Sequence, residues 1–194
     1  MKTKHKVGLA ALAFLGFLAY TGKAKAQDAP KSTESKQEFR LSFGPEIGIP
    51  VGSLKDVYKF NLGGSVQADI PIAQHLYVTV NTGYNNFFIK DEFKQQGGHH
   101  LQLVPAKAGL KFFPIGDVFY VQAEAGATFL VNKSDVQADK STAFVYAPQI
   151  GALIKLAPKN YLDIGFRWES MSKFYDGGSY SNFLGLRVAY AFGL

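Results

Sequence analysis

The stretch Leu184-Gly185-Leu186-Arg187-Val188-Ala189-Tyr190-Ala191-Phe192-Gly193-Leu194 changes character at every second residue. Leu184, Leu186, Val188, Tyr190, Phe192 and Leu194 make one set; Gly185, Arg187, Ala189, Ala191 and Gly193 make the other. A period of two belongs to a strand, whose successive side chains point to opposite faces, and a helix would mix the two sets. The same division opens the patterned region, where Phe39, Leu41, Phe43, Ile47 and Ile49 oppose Arg40, Ser42, Gly44, Glu46 and Gly48. Pro45 interrupts this strand without an N–H to donate, so a bulge is expected there.

Six further segments of this kind are expected between the two. They begin near Phe60, Leu76, His100, Phe119, Tyr146 and Leu162. The fourth strand in chain order alternates well only after Val104; Leu101 and Leu103 fall out of phase with the rest. Three connections are tight, at 71–75, 113–117 and 157–160, and four are longer and more polar, at 51–59, 86–99, 132–143 and 171–179. Eight strands with short turns at one end and long loops at the other predict an all-β fold, an eight-stranded antiparallel up-and-down transmembrane β-barrel.

A barrel dissolved in water shows the same alternation with its faces exchanged, and volume separates the two cases. The interior of an eight-stranded barrel is just wide enough to be filled by its inward side chains. Most of the Phe, Leu, Ile and Val, with Trp168, lie on one face, while the other carries the charges and about ten glycines. The bulky face therefore belongs outside, as a continuous apolar belt that lipid accepts and water does not. Tyr84, Phe87, Phe88, Tyr146, Trp168 and Tyr180, near strand ends, are expected to form interfacial girdles.

The formal charge of +6 is unevenly placed. Lys2, Lys4, Lys6, Lys23 and Lys25 lie in the first 26 residues with no acid among them, so six less five leaves +1 for the remainder. This does not describe a nucleic-acid binder. The basic start, the apolar run from Val7 to Tyr20 and Ala24-Lys25-Ala26 have the layout of a cleaved secretory signal peptide, residues 1–26. Polar residues 27–37 read as a flexible leader, and 38–194 as the barrel domain. With no cysteine, disulfides, thiolate metal sites and thiol nucleophiles are excluded.

The signal segment, the run Leu103-Val104-Pro105-Ala106-Lys107 and the closing strand Leu184 to Leu194 resemble the outer-membrane β-barrel domain of porin-family proteins. The likeness is to the eight-stranded type common in Bacteroidetes, related in architecture to OmpA and OmpX. Such chains often end on an aromatic residue; here Phe192 is followed by Gly193 and Leu194. The resemblance implies a bacterial outer-membrane location, contact with outer-membrane lipids and lipopolysaccharide, and recognition of the last strand by the outer-membrane assembly machinery. A monomer is expected.

The inward face supplies Arg40, Lys107, Lys111, Lys155, Arg167 and Arg187 against Glu46, Asp69, Glu124, Asp163 and Glu169. Near-balance favours a lumen filled by paired charges, because confined charges must be paired to be tolerated. His99-His100 point opposite ways on an extended segment, which disfavours one shared metal. His75, His99 and His100 have no serine at a diagnostic spacing. The expectation is a non-enzymatic barrel without cofactor or metal, in a structural or surface-interaction role. A lipid-modifying enzyme or small-ligand carrier is the alternative.

Overall fold

A computed structural model describes residues 38–136 and 138–194. The expected signal segment and leader lie outside the described residues. Eight strands follow one another: β1 (Arg40–Val51), β2 (Tyr58–Ala73), β3 (Leu76–Ile89), β4 (Leu101–Ile115), β5 (Phe119–Leu130), β6 (Thr142–Ala157), β7 (Asn160–Met171) and β8 (Ser181–Gly193). Each pairs antiparallel with its neighbour, and β1 pairs with β8, which closes the barrel and leaves no free sheet edge. Two single-turn helices, α1 (Leu54–Val57) and α2 (Asp91–Lys94), sit in the first two long loops.

The tight connections are Gln74-His75, Gly116 to Val118 and Pro158-Lys159. Each holds one left-handed residue, His75 (φ 59°), Gly116 (φ 61°) and Lys159 (φ 62°), where the chain must reverse within two or three residues. His75 is thereby a turn residue, with Nδ1 3.3 Å from Asp117.

Phase follows the sequence pattern in the middle of every strand, and departures fall at the ends. Ile47, Ile49, Val66, Leu110, Val121, Ile150, Phe166 and Leu186 are exposed on the outside. Tyr84, Tyr146, Trp168 and Tyr180 are exposed too, and Trp168 meets Tyr146 edge-on with centroids 5.7 Å apart. Phe87 does not join them: it is fully buried inside the barrel, against Phe183 and Tyr58. Nor is there a bulge at Pro45, since the β1 register against both β2 and β8 is unshifted across it. The ring is turned outward, so the missing donor interrupts hydrogen bonding without forcing in an extra residue.

Leu101 and Leu103, out of phase in the sequence, are buried inside with Lys107 and Lys111. Their strand is regular; the lumen itself changes chemistry along its axis. Strands β2 and β3 also run further toward the long loops than expected, because Tyr58, Phe87 and Ile89 continue the inward face as an apolar layer.

Candidate functional site: the barrel lumen

Three layers fill the interior. At the loop end Leu54, Phe87, Leu103, Val145, Met171 and Phe183 belong to one dry cluster. At the turn end Tyr77, Phe113, Tyr120, Leu153 and Ala191 form a second, with Tyr161 against it. Between them lie the ionic groups, held there because inward positions in the middle of the strands are the ones that carry charge.

Arg167 on β7 reaches across to Glu46 on β1 through two parallel hydrogen bonds, of 2.9 and 2.5 Å. Its Nε lies 3.2 Å from Glu169, which also takes a 2.7 Å bond from Lys107 Nζ. Lys107 stands 3.6 Å from Glu124, and Glu124 accepts from Thr79 Oγ1 at 3.1 Å. Arg187 on β8 donates to Ser65 Oγ (2.8 Å) and Ser42 Oγ (2.9 Å) and approaches Asp163 at 3.4 Å. Lys111 bridges Asp69 (2.7 Å) and Asp163 (3.2 Å). Neutral amides fill the gaps: Asn81 and Gln122 both donate to Gln67 Oε1, and Gln67 donates to Asp69 at 2.7 Å.

Of the inward charges expected from sequence, nine are drawn into these pairs: Glu46, Asp69, Lys107, Lys111, Glu124, Asp163, Arg167, Glu169 and Arg187. Arg40 is buried but takes another partner: its guanidinium lies 4.2 Å from the Tyr77 ring centroid and 5.3 Å from that of Phe113. Among the described residues, with Arg40 included, five bases and five acids are buried, and their formal charges balance. Lys155 is the correction. Its position on β6 is of inward parity, but it stands past Leu153 at the turn rim, where the barrel opens to solvent, and it is exposed.

Spacing puts Tyr120 on the inward face of the fifth strand but gives it no part among the paired groups, which in the fold it joins. Its hydroxyl donates to Asp163 at 2.6 Å and accepts from Gln149 at 2.8 Å. The phenol occupies the space above Gly151, its partner across the β5–β6 ladder, where a Cβ would overlap it. A Cβ at Gly165 would meet the Gln149 amide and come within 2.9 Å of the phenol oxygen. An aromatic ring laid over a strand glycine is a device that holds curvature and register together. Gly151→Val is expected to cost about 1–3 kcal/mol through overpacking, with a smaller loss for Tyr120→Phe, which keeps the ring. Thermal unfolding followed by gel mobility of boiled and unboiled samples checks the order of the two.

Of the loop histidines, His99 is exposed and His100 is packed in place. His100 Nδ1 accepts from Ile89 N–H at 3.1 Å, and its ring meets Phe88 edge-on. Among the described residues no group of three or more His, Asp or Glu side chains is placed to hold a metal ion.

No family model matches the chain, and no curated protein matches it. Among solved structures the barrel is similar to the outer membrane protein OprG from Pseudomonas aeruginosa, with TM-score 0.52 and 11% identity over 81% of this chain and 95% of that one. It is also similar to the outer membrane protein AlkL in lipid bilayers, with TM-score 0.54 and 14% identity over 88% and 97%. The fold is that of a small outer-membrane β-barrel. At these identities the likeness is one of architecture, and the lumen's side chains have to be read on their own terms.

Proposed function

We propose that the protein is a small integral protein of the bacterial outer membrane, with its lumen sealed and its role structural or at the cell surface. The sealed lumen carries this reading: five acids and five bases, all buried, packed between two apolar layers. An ion entering would have to shed water into the dry loop-end cluster and then break bonds among charges already paired. The outward belt supports lipid as the surrounding medium, since its exposed Phe, Ile, Leu and Val are continuous around the barrel.

In this reading residues 1–26 are removed on export, the three tight turns face the periplasm and the four long loops face outward. The partners are outer-membrane lipids, lipopolysaccharide and, during biogenesis, the assembly machinery that receives β8. The barrel works as a monomer without catalytic chemistry or a cofactor.

Reconstitution of the purified mature protein into planar bilayers tests the proposal. The expected result is a flat baseline at applied voltage. Large, long-lived conductance steps would overturn the sealed lumen and make the protein a channel.

A further inference from the structure

The loop end carries a concavity of about 320 Å³ whose floor is the apolar layer that closes the lumen. Its deepest lining is apolar, with Tyr58 and Ile89 buried; its rim is polar, with Gln96, His99 and Asp135 exposed. Phe93 and Tyr175 add two further rings.

All four long loops contribute to it, the first through Val57, and they are tied to one another, the third to the second by Asn132 Nδ2 to His100 O at 2.6 Å. The second long loop is anchored by Lys59 to Asp91 at 2.6 Å, which holds the Asp91 carboxyl below the ordinary aspartate range, and by Lys90 N–H to Val57 O at 3.0 Å. The fourth is fastened to the third by Tyr175 Oη to Val136 O at 2.8 Å and by Asp176 N–H to Asp139 at 2.7 Å. A concavity held by such ties is largely formed before any ligand arrives, which lowers the ordering cost of binding.

Its chemistry narrows the ligand. Among the described lining residues there is one carboxylate, Asp135, and no lysine or arginine, so a phosphate or sulfate finds no counter-charge. An ammonium ion needs acceptors only, whereas the rim offers an amide and an imidazole beside the carboxylate, a mixed set of donors and acceptors. Hydroxyl groups both donate and accept. A molecule with an apolar face for the rings and hydroxyls along its edge is a pyranose, and the volume, near the lower end for ligand sites, holds a single ring better than a long chain.

We propose that this pocket, formed by Tyr58, Phe93, Gln96, His99, Asp135 and Tyr175, binds one uncharged sugar ring. The assignment deepens the surface role and rests on that reading only for the ligand's source, a free sugar or a sugar within a surface glycan. Binding in detergent does not depend on whether the lumen conducts, so the bilayer test and this one fail separately.

The probes are glucose, galactose, mannose and N-acetylglucosamine, each as the free sugar and as its methyl glycoside, added at millimolar concentration to the purified barrel in micelles. Saturation transfer from protein to the ring C–H protons is expected for at least one. Asp135→Ala and Tyr175→Ala should each weaken that binding about tenfold, the value of one good hydrogen bond or ring contact, while Lys94→Ala leaves it unchanged. Asp135→Ala removes no loop tie, and the gel mobility of unboiled samples shows that each variant is folded. A glycoside bound as well as the free sugar points to a glycan; binding of the free form alone points to a soluble sugar, and either supports the proposal. No transfer to any of the eight probes, binding indifferent to both substitutions, or binding of choline in place of the sugars would overturn it.

Discussion

Replacing Arg167 by alanine is expected to destabilise the folded barrel by about 3–5 kcal/mol, the cost of leaving a buried charge without its partner. Arg167 supplies both hydrogen bonds of a fork to Glu46, and among the described residues no other cation is placed to repeat that geometry. Glu46 also has Ser65, which donates at 2.5 Å, Arg187, 3.6 Å away and already engaged with two hydroxyls, and the charge of Lys107, whose ammonium is bonded to Glu169 instead. Urea unfolding in lipid vesicles, followed by Trp168 fluorescence, measures the loss. Lys94→Ala, in the exposed α2, should change stability by no more than about 0.5 kcal/mol. Removing both Glu46 and Arg167 in favour of apolar residues of similar volume should restore much of the single-variant loss, because the stranded charge goes with its partner. A small effect of Arg167→Ala alone would mean that water reaches the pair and the lumen is not sealed.

A charge placed on the outside should be costly in a manner that depends on height. Ile150 lies midway along β6 and is 61% exposed; Ile115 ends β4 and is 78% exposed. In lipid, Ile150→Arg is expected to cost about 2–4 kcal/mol and Ile115→Arg about 0–1 kcal/mol, since the penalty falls from the midplane to the interface. In water both substitutions would exchange an exposed isoleucine for a solvated charge at little cost, and the difference would vanish. The same vesicle unfolding measurement reads both, and equal small effects would contradict a membrane-embedded belt.

The fold was legible because alternation is set by the strand itself: Leu186, Arg187 and Val188 face out, in and out whatever their neighbours do. The choice of faces was legible because glycine and charge cannot fill the larger circumference. What periodicity hid was the inward apolar layer. Phe87, Leu101 and Leu103 are as hydrophobic as the belt, so sequence read the first as a girdle residue and the other two as a broken phase. Only fixed parity reveals them as lumen groups, Phe87 with Asn81 along β3 and Leu101 and Leu103 with Lys107 along β4. Lys155 failed for the opposite reason: parity was right, but parity says nothing of how far a position lies from the open rim. Arg40 was legible as inward and charged, while its aromatic partners come from β3 and β4, strands that do not pair with β1 and approach it only through the curl of the barrel.

The stacking of apolar, ionic and aromatic layers also limits how the sheet can close. Alternation forbids a slip of one residue between neighbouring strands, because it would turn every side chain to the wrong face. It does not forbid a slip of two, which preserves inside and outside and changes only the stagger of the barrel. Here such a slip at the β4–β5 seam would move Lys107 and Lys111 relative to Glu124, and Leu103 relative to Leu130. A charge would then face an apolar layer, and its partner would be stranded among rings. The filled interior thus acts as a key that accepts one stagger, an instruction for assembly written across all eight strands at once.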